Sequence, residues 1–315
     1  MNLTTLRGSV RIDTEIIHSH KYADWIFDRS HPTQGRRFTL AKEQLTLALD
    51  ENDFNYQISL PRQATFEELC RVHSHEYVNK VLNDHLSDEW SGSRPDLSEL
   101  ASLFVGGTLV ALEDLLNGEA KTAIHFPGAK HHAQYDHSSG FCVFADFAIA
   151  ADIATKVHGK RVAILDIDAH HGDGTENLTA ENPNVLTYSI HQWGIFPGTG
   201  FENNPDKNVY NFPLYNTHPN SNLGMGDNAL FHGTLDFLRK FQDFKADLLF
   251  IACGADGHHQ DPLSGLLYTV KGYERVAYLI RTKYPDLPIL LGGAGGYLPD
   301  TRTPEVWSAF AKAII

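Results

Sequence analysis

The sequence predicts an α/β domain with a central, mostly parallel sheet flanked by helices. From about residue 100 onward, strand-like apolar runs alternate with helix-like runs, as in doubly wound folds. The strand-like runs are rich in Val, Ile and Leu on both faces, which is typical of strands buried in a parallel sheet. Because no repeat, low-complexity tract or Pro/Ser-rich linker divides the chain, we expect residues 1–315 to form a single domain.

Five strands and four helices are predicted in order along the chain. The strand candidates are TAIHF (122–126), RVAILDID (161–168), NVLTYSIH (184–191), DLLFIACGAD (247–256) and PILLGGAGG (288–296). The helix candidates are Phe104 to Gly118, Phe141 to His158 (closed by Gly159), and segments around 228–241 and 271–283. The first hundred residues are less regular, and we expect them to fold into the same domain.

Each strand candidate ends in polar or glycine-rich sequence. These ends read PGAKHH (127–132), DAHHGDG (168–174), HQWGIFPGTG (191–200), GADGHHQD (254–261) and GGAGGY (292–297). Open α/β sheets bind ligands beyond the carboxyl ends of their strands. The sequence therefore predicts an active site at these ends, where most of its unusual His, Asp and Gly residues would converge.

The run AILDIDAHHGDG places carboxylates at the end of an apolar strand, where an unpartnered Asp is unfavourable. Side chains alternate along a strand, so Asp166 and Asp168 point to the same side and His170 follows them. Asp256 ends another apolar run, although the neighbouring His258 and His259 compete for the same role. An Asp/His/Asp set without thiolate suits Zn²⁺ with an open coordination position, and Fe²⁺ or Co²⁺ also fits.

Further residues at the same edge offer acid–base chemistry. His131 and His132 follow the first of these strands, while Asp166 and Asp173 are left over once a metal is bound. An Asp that accepts a hydrogen bond from the far ring nitrogen of a His fixes its tautomer, so two such pairs would supply a general base and a general acid or electrostatic partner. Tyr297 follows GGAGG and would donate its hydroxyl to a developing oxyanion; alone, the segment indicates only a turn with an exposed aromatic.

The composition excludes several classes of protein. There are 26 Lys and Arg against 39 Asp and Glu, a net charge of −13, and no Lys/Arg-rich run, so we expect no nucleic-acid partner. This balance suits a cationic substrate. Cys70, Cys142 and Cys253 are too few and too widely spaced for a disulfide framework. Because the chain shows neither a signal peptide nor a membrane-length apolar run, we expect a cytoplasmic protein without membrane contact.

Together these motifs resemble those of the zinc-dependent histone deacetylase superfamily, which includes acetylpolyamine amidohydrolases and acetoin-utilisation proteins. The matching segments are HPTQGRR (31–37), RVHSHEYV (71–78), PGAKHH, SGFC (139–142), DIDAHHGDG (166–174), FPGTG (196–200), GAD with DPLSG (261–265), and GGAGGY. The resemblance covers most of the chain and is nearest to short bacterial or class IV-like members. It implies an arginase/deacetylase-type fold and hydrolysis of an acyl amide.

The resemblance also implies a role for each site residue. It implies Zn²⁺ bound by Asp168, His170 and Asp256. It implies a catalytic pair, His131 backed by Asp166 and His132 backed by Asp173, with Tyr297 polarising the acetyl carbonyl. It implies an acyl-lysine tunnel lined by Gly140, Phe141 and Phe196. It further implies a structural K⁺ held by Asp166, Asp168, His170, Ser189 and the Ile190 carbonyl.

We expect a deacetylase that acts on acyl-lysine side chains of proteins or peptides. The alternatives are an enzyme for small cationic amides such as acetylpolyamines and, in another class, a non-catalytic module that binds acyl-lysine. A two-metal ureohydrolase is disfavoured, because it would need more carboxylate ligands than GADGHH offers. Asp96 is a candidate for gripping a peptide backbone, and His258 and His259 are candidates for the pocket rim. The sequence does not predict the oligomeric state.

Overall fold

A computed structural model of the protein describes residues 12–215 and 224–315. In this part of the chain eight strands form one sheet, and every pair of neighbouring strands is parallel. The strands are β1 (Thr14–Ile17), β2 (Tyr56–Ser59), β3 (Thr122–His125), β4 (Val162–Asp166), β5 (Val185–Gln192), β6 (Val209–Leu214), β7 (Leu248–Ala252) and β8 (Ile289–Gly292). The predicted fold class is therefore confirmed, with a sheet that is parallel throughout.

The order of strands across the sheet is β2-β1-β3-β8-β7-β4-β5-β6. The five strands predicted from the sequence are the contiguous central block β3-β8-β7-β4-β5. Central strands of a parallel sheet are covered on both faces, so their sequences are continuously apolar and easy to recognise. In the register of this block, Asp166 at the end of β4 lies between Ala252 of β7 and Ser189 of β5.

The three strands at the edges were not predicted. β1 and β2 come from the first hundred residues and are only four residues long. β2 is the edge strand, and none of its residues is fully buried, so it lacks an apolar run. β6 forms the opposite edge and contains Pro213, which cannot donate to a ladder and is found at sheet edges.

Nine α-helices flank the sheet in the described residues. They are α1 (Arg36–Asp50), α2 (Phe66–Leu69), α3 (His75–Leu82), α4 (Pro95–Asn117), α5 (Asp146–Lys156), α6 (Asp173–Thr179), α7 (Asp227–Phe244), α8 (Val270–Lys283) and α9 (Arg302–Ile314). The predicted helix from Phe141 begins later, at Asp146, because residues 139–142 form a tight turn in which Ser139 and Cys142 exchange backbone hydrogen bonds. Within the described ranges, no helix has the length and apolarity needed to cross a bilayer.

Candidate active site

Three side chains from the ends of β4 and β7 converge at the carboxyl edge of the sheet. Asp168 and His170 follow β4, Asp256 follows β7, and all three are buried. One ligand atom from each lies within 4.8 Å of the others. The His170 Nδ1 atom is 2.8 Å from Asp256 Oδ2 and 3.2 Å from Asp168 Oδ1. Of the described His, Cys, Asp and Glu residues, only this trio is so arranged, so His258 and His259 are not needed as alternatives to Asp256.

Backbone N–H groups fix the two carboxylates of this cluster. Asp168 accepts hydrogen bonds from the backbone of His170 at 2.9 Å and of Gly295 at 2.7 Å, and Asp256 accepts one from Ala169 at 2.9 Å. Residue 295 must be glycine here, since a Cβ would lie 2.5 Å from Asp256 Oδ2 and 2.6 Å from Asp168 Oδ2. The GGAGG segment therefore serves to bring its backbone against the carboxylates.

The charges of this cluster are those of a cation site. Burial and the neighbouring Asp168 raise the pKa of Asp256 to about 7. Although burial opposes it, the charges of His131 and His170 lower the pKa of Asp168. Burial alone would lower the pKa of His170, but its contacts with Asp168 and Asp256 raise it to about 11. In the absence of metal, His170 therefore keeps its proton beside the two carboxylates. A divalent metal ion fits this place, because the donors are two carboxylates and an imidazole without thiolate.

Two histidine–carboxylate pairs lie beside the cluster. His131 Nδ1 is 2.7 Å from Asp166 Oδ2, and His132 Nδ1 is 2.7 Å from Asp173 Oδ1. The two rings are 3.9 Å apart between centroids. The structure thus brings together both His–Asp pairs that were expected, with each carboxylate behind the expected histidine.

The two pairs differ in their electrostatics. Burial acts against the charged imidazolium in both, but at His131 the charges of Asp166 and Asp168 outweigh it and raise the pKa to about 9. At His132, burial and the charge of His131 lower the pKa to about 4. His132 is therefore neutral near pH 7 beside a charged His131. Pairs of titratable groups whose pKa values are driven apart are typical of acid–base catalysis.

A cavity of about 400 Å³ opens beside these groups. It is lined by Glu89, His132, Gly140, Phe141, His170, Ile195, Phe196, Leu263 and Tyr297. The three expected tunnel residues are all present, and the wall is mostly apolar. Gly140 and Phe141 both have positive φ, 55° and 65°, and a Cβ on Gly140 would meet the His132 ring at 2.4 Å. The SGFC turn thus packs its backbone against the His132 ring.

Tyr297 lines the same cavity and is held through its backbone. Its N–H donates to Asp261 Oδ2 at 2.8 Å, and the buried Arg37 donates to the preceding carbonyl of Gly296. Burial raises the pKa of the Tyr297 phenol well above its usual range, so the hydroxyl keeps its proton. Arg37 and Asp261 lie in the segments HPTQGRR and DPLSG, which resemble the family's motifs. Only the structure shows that both residues anchor the backbone of Tyr297.

Glu89 was not singled out in the sequence, yet it lies in the pocket wall. Its Oε2 accepts the Phe141 N–H at 3.0 Å, and burial raises the pKa of its carboxyl. Asp96, the expected substrate-gripping residue, is not among the lining residues and is paired with Arg94 at 2.7 Å. The Asp96 carboxylate is paired with a neighbour two residues away, and its expected grip on a peptide backbone stays a prediction.

A buried network behind the histidines was also missed. Asp146, at the start of α5, accepts the backbone N–H groups of Ala129 at 3.0 Å and Lys130 at 2.7 Å. Thr108 donates to the same carboxylate at 2.5 Å and lies 3.0 Å from His125 Nδ1, whose Nε2 is 2.9 Å from the Tyr22 hydroxyl. This chain of side chains, from Tyr22 to Asp146, fixes the loop that carries the two catalytic candidates.

Other expected residues fall outside the pocket or keep an open role. His258 and His259 are not among its lining residues, and the His259 N–H donates to the Tyr268 carbonyl at 3.0 Å; their place at the rim stays a prediction. For the expected K⁺ site, the β4–β5 register sets Asp166 beside Ser189, with Ile190 next in β5. That site stays a prediction.

Comparison with known protein families agrees with this geometry. A model of the histone deacetylase domain matches residues 31–314. The chain belongs to the histone deacetylase family. It is 31% identical to acetoin utilization protein AcuC of Staphylococcus aureus over 96% of this chain and 82% of that protein. It is 32% identical to AcuC of Bacillus subtilis, over 94% of this chain and 80% of that protein.

The fold of this histone deacetylase family member also matches a solved structure. The crystal structure of the HDA15 HD domain superposes with a TM-score of 0.82 and 24% identity, covering 96% of this chain and 88% of that one. At this identity the likeness shows the fold alone. It confirms the deacetylase-type arrangement of a parallel sheet flanked by helices.

Proposed function

We propose that this protein is a metal-dependent amidohydrolase that removes acetyl groups from lysine side chains of proteins or peptides. The observation that carries the proposal is the opening of His132, His170 and Tyr297 onto one mostly apolar cavity of about 400 Å³, next to the Asp168–His170–Asp256 cluster. Such a cavity suits the aliphatic stem of an acyl-lysine, and the groups at its base suit the amide.

Asp168, His170 and Asp256 would hold the metal ion, Zn²⁺ or Fe²⁺. When bound, such an ion polarises an amide carbonyl and lowers the pKa of a water molecule. The fixed orientation of both carboxylates by backbone N–H groups means that little rearrangement is needed to receive it.

His132 is the proposed general base, because it is neutral near pH 7 and lines the pocket. It takes the proton of the attacking water and then gives it to the departing amine. His131 does not line this pocket; although burial lowers its pKa, Asp166 and Asp168 raise it to about 9 in the absence of metal, so its proposed role is electrostatic, favouring negative charge on the carbonyl oxygen. Asp173 keeps the neutral His132 ring in the tautomer with a proton on Nδ1, and Asp166 accepts the Nδ1 proton of His131.

Tyr297 donates its hydroxyl hydrogen bond to the carbonyl oxygen as negative charge develops there. The raised pKa of its phenol keeps this proton in place throughout the cycle. The carbon–nitrogen bond then breaks, and the products are a carboxylate and a free amine.

A second candidate substrate class is small cationic amides such as acetylpolyamines. Glu89 places a carboxylate in the pocket wall, and the chain carries a net charge of −13, both of which favour a substrate with a further positive charge. A non-catalytic acyl-lysine-binding module is disfavoured, because every group needed for hydrolysis is present in the site.

The test is mass spectrometry of acetyl-lysine peptides and acetylpolyamines incubated with Zn²⁺-loaded protein. The expected result is loss of the acetyl mass from the peptides by wild type, with a rate lowered roughly a hundredfold or more in Tyr297→Phe. Tyr278→Phe, on the exposed face of α8, is the matched control and should act like wild type. Turnover of acetylpolyamines alone would select the second class, and turnover of neither would contradict amidohydrolase activity on these substrates.

A further inference from the structure

One wall of the substrate pocket is formed by the loop that follows β5. This loop, residues 193–203, carries Ile195 and Phe196, and both side chains line the pocket. The Phe196 ring meets the His132 ring edge-on, with 4.9 Å between centroids, yet Phe196 is 49% exposed. Because packing supports only half of this side chain, its position depends on how the backbone of the loop is held.

Two buried histidines bind the backbone and side chains just after Phe196. His171 Nδ1 lies 2.8 Å from the Thr199 hydroxyl oxygen. The His191 Nε2–H donates to the Gly200 carbonyl at 3.0 Å. Gly200 has a φ of 80°, and a Cβ there would lie 2.6 Å from the His171 ring and 2.7 Å from the His191 ring. Glycine is therefore required for the loop to approach both rings.

Glu176 of α6 orients the first of these histidines. Its Oε2 lies 3.0 Å from His171 Nε2 and also accepts the Asn211 side-chain N–H at 3.0 Å. Because a carboxylate only accepts, the His171 Nε2–H donates to Glu176, and a neutral ring then accepts the Thr199 hydroxyl at Nδ1. Asn211 also donates to the Glu202 carbonyl at 3.0 Å, farther along the loop. We call the series Glu176–His171–Thr199 the wall clamp.

The wall clamp joins this wall to the candidate metal site. His171 directly follows His170, which lines the pocket and whose Nδ1 lies 2.8 Å from Asp256 Oδ2. Thr199, at the other end of the clamp, is three residues from Phe196. The clamp therefore fixes the position of the aromatic wall relative to the reacting end of the pocket.

Thr199 and Glu176 belong to the clamp but do not line the pocket. We propose that they are positioning residues that hold Phe196 against the aliphatic stem of the acyl-lysine, and this rests on the function proposed above. Apolar contact with the stem is made in the bound substrate and in the transition state alike. Such contacts set substrate affinity and leave the rate of the chemical step nearly unchanged.

The experiment measures kcat and KM of the Zn²⁺-loaded protein for one acetyl-lysine peptide. Thr199→Val should raise KM roughly fivefold, as expected for the loss of one hydrogen bond, and leave kcat within about twofold. Thr199→Ser keeps the hydroxyl and should restore KM. Thr282→Val, at an exposed position of α8, is the matched control and should act like wild type. His171 is left intact because it adjoins His170.

A double-mutant cycle separates action through Phe196 from a general structural role. Calorimetry with Tyr297→Phe as the parent gives the dissociation constant of the same peptide independently of turnover. Thr199→Val should raise this constant roughly fivefold in the parent, but less than about twofold once Phe196→Ala has removed the side chain that the clamp positions. Glu176→Ala should follow the same pattern.

The outcomes distinguish this inference from the function on which it rests. A rise in the dissociation constant that persists in Phe196→Ala, or an unchanged constant in both Thr199→Val and Glu176→Ala, would overturn the positioning role alone. Peptide binding without hydrolysis would overturn the proposed function, and the cycle of dissociation constants would still decide the role of the clamp. Absence of both binding and hydrolysis would overturn both.

Discussion

His131 and His132 are neighbours in the chain, and each holds a carboxylate 2.7 Å from its Nδ1 atom, yet their pKa values lie near 9 and near 4. The difference comes from what lies beyond the paired carboxylate. His131 faces Asp168 of the metal-ligand cluster, with its Nε2 3.8 Å from Oδ1, whereas His132 faces the apolar pocket and the charge of His131. One Asp–His geometry thus yields two different pKa values, set by the surroundings of each ring.

The largest loss of activity is expected when His132, the neutral histidine of the two, is removed. His132→Ala should lower kcat/KM for an acetyl-lysine peptide by roughly 10²–10⁴-fold, because it removes the proposed base. His131→Ala should lower it less, since that group acts only through its charge. Steady-state kinetics of both metal-loaded variants check this, with exposed His137→Ala as the control. A larger loss in His131→Ala would reverse the two assignments.

The carboxylates of the two pairs should differ in their effect on metal binding. Asp166 also accepts the backbone N–H of Asp168 at 3.0 Å, whereas among the described residues the Asp173 carboxylate pairs with His132 and Gln134 alone. Asp166→Asn should therefore weaken metal affinity by roughly 10–100-fold, and Asp173→Asn should leave it within about twofold of wild type. Competition of Zn²⁺ with a chelating dye measures both. Equal losses would show that the two carboxylates support the cluster alike.

Titration of the metal-free protein should show directly that the pKa values of His131 and His132 differ. By histidine-selective NMR, His132 should stay neutral from pH 8 down to about 4, and His131 should stay protonated until about pH 9. Adding Zn²⁺ should lower the pKa of His131, because a nearby cation opposes a second positive charge. His132→Gln and His131→Gln spectra assign the signals. A shared pKa near 6.5 for both rings would contradict the comparison.

A smaller effect is expected at Gln134, whose side chain supports the His132 pair. Its Nε2 donates to Asp173 Oδ2 at 2.9 Å and to the His132 carbonyl at 3.1 Å. Gln134→Ala should lower kcat by roughly a few-fold through poorer orientation of the ring, with metal affinity unchanged. Asn177→Ala removes the side chain that donates to Gln134 Oε1, and it should have the smallest effect of these changes. An unchanged kcat in Gln134→Ala would show that Asp173 needs no further support.

How far the sequence predicts the site depends on whether a residue acts through its own type or through a distant contact. Asp168 and Asp256 can be predicted because carboxylates at the ends of apolar strands are unusual. His170 can be predicted because it follows Asp168 by two residues. Glu89 and Asp146 are not visible, because their roles arise from backbone N–H groups 52 residues and 16–17 residues away in the chain. No local spacing reports such contacts.

The same reasoning applies to the fold. The central strands were predicted because burial on both faces leaves a continuous apolar run, as in LLFIA of β7. The edge strands β1, β2 and β6 are defined by pairing to a neighbour and not by their own composition. Lys130 shows a third limit, since a lysine in a loop looks exposed in the sequence and only packing against Phe38 and Phe104 shows that it is buried.

The side-chain network from Tyr22 to Asp146 ties the reacting groups to the beginning of the described chain. The loop of His131 and His132 is held by Asp146, whose neighbour Thr108 contacts His125, and His125 in turn meets Tyr22. A truncated form that starts after Tyr22 would keep every candidate metal ligand and both histidines. It would nevertheless lose one end of the network that holds their loop, so the fragment that keeps these groups in place is longer than the list of candidate site residues suggests.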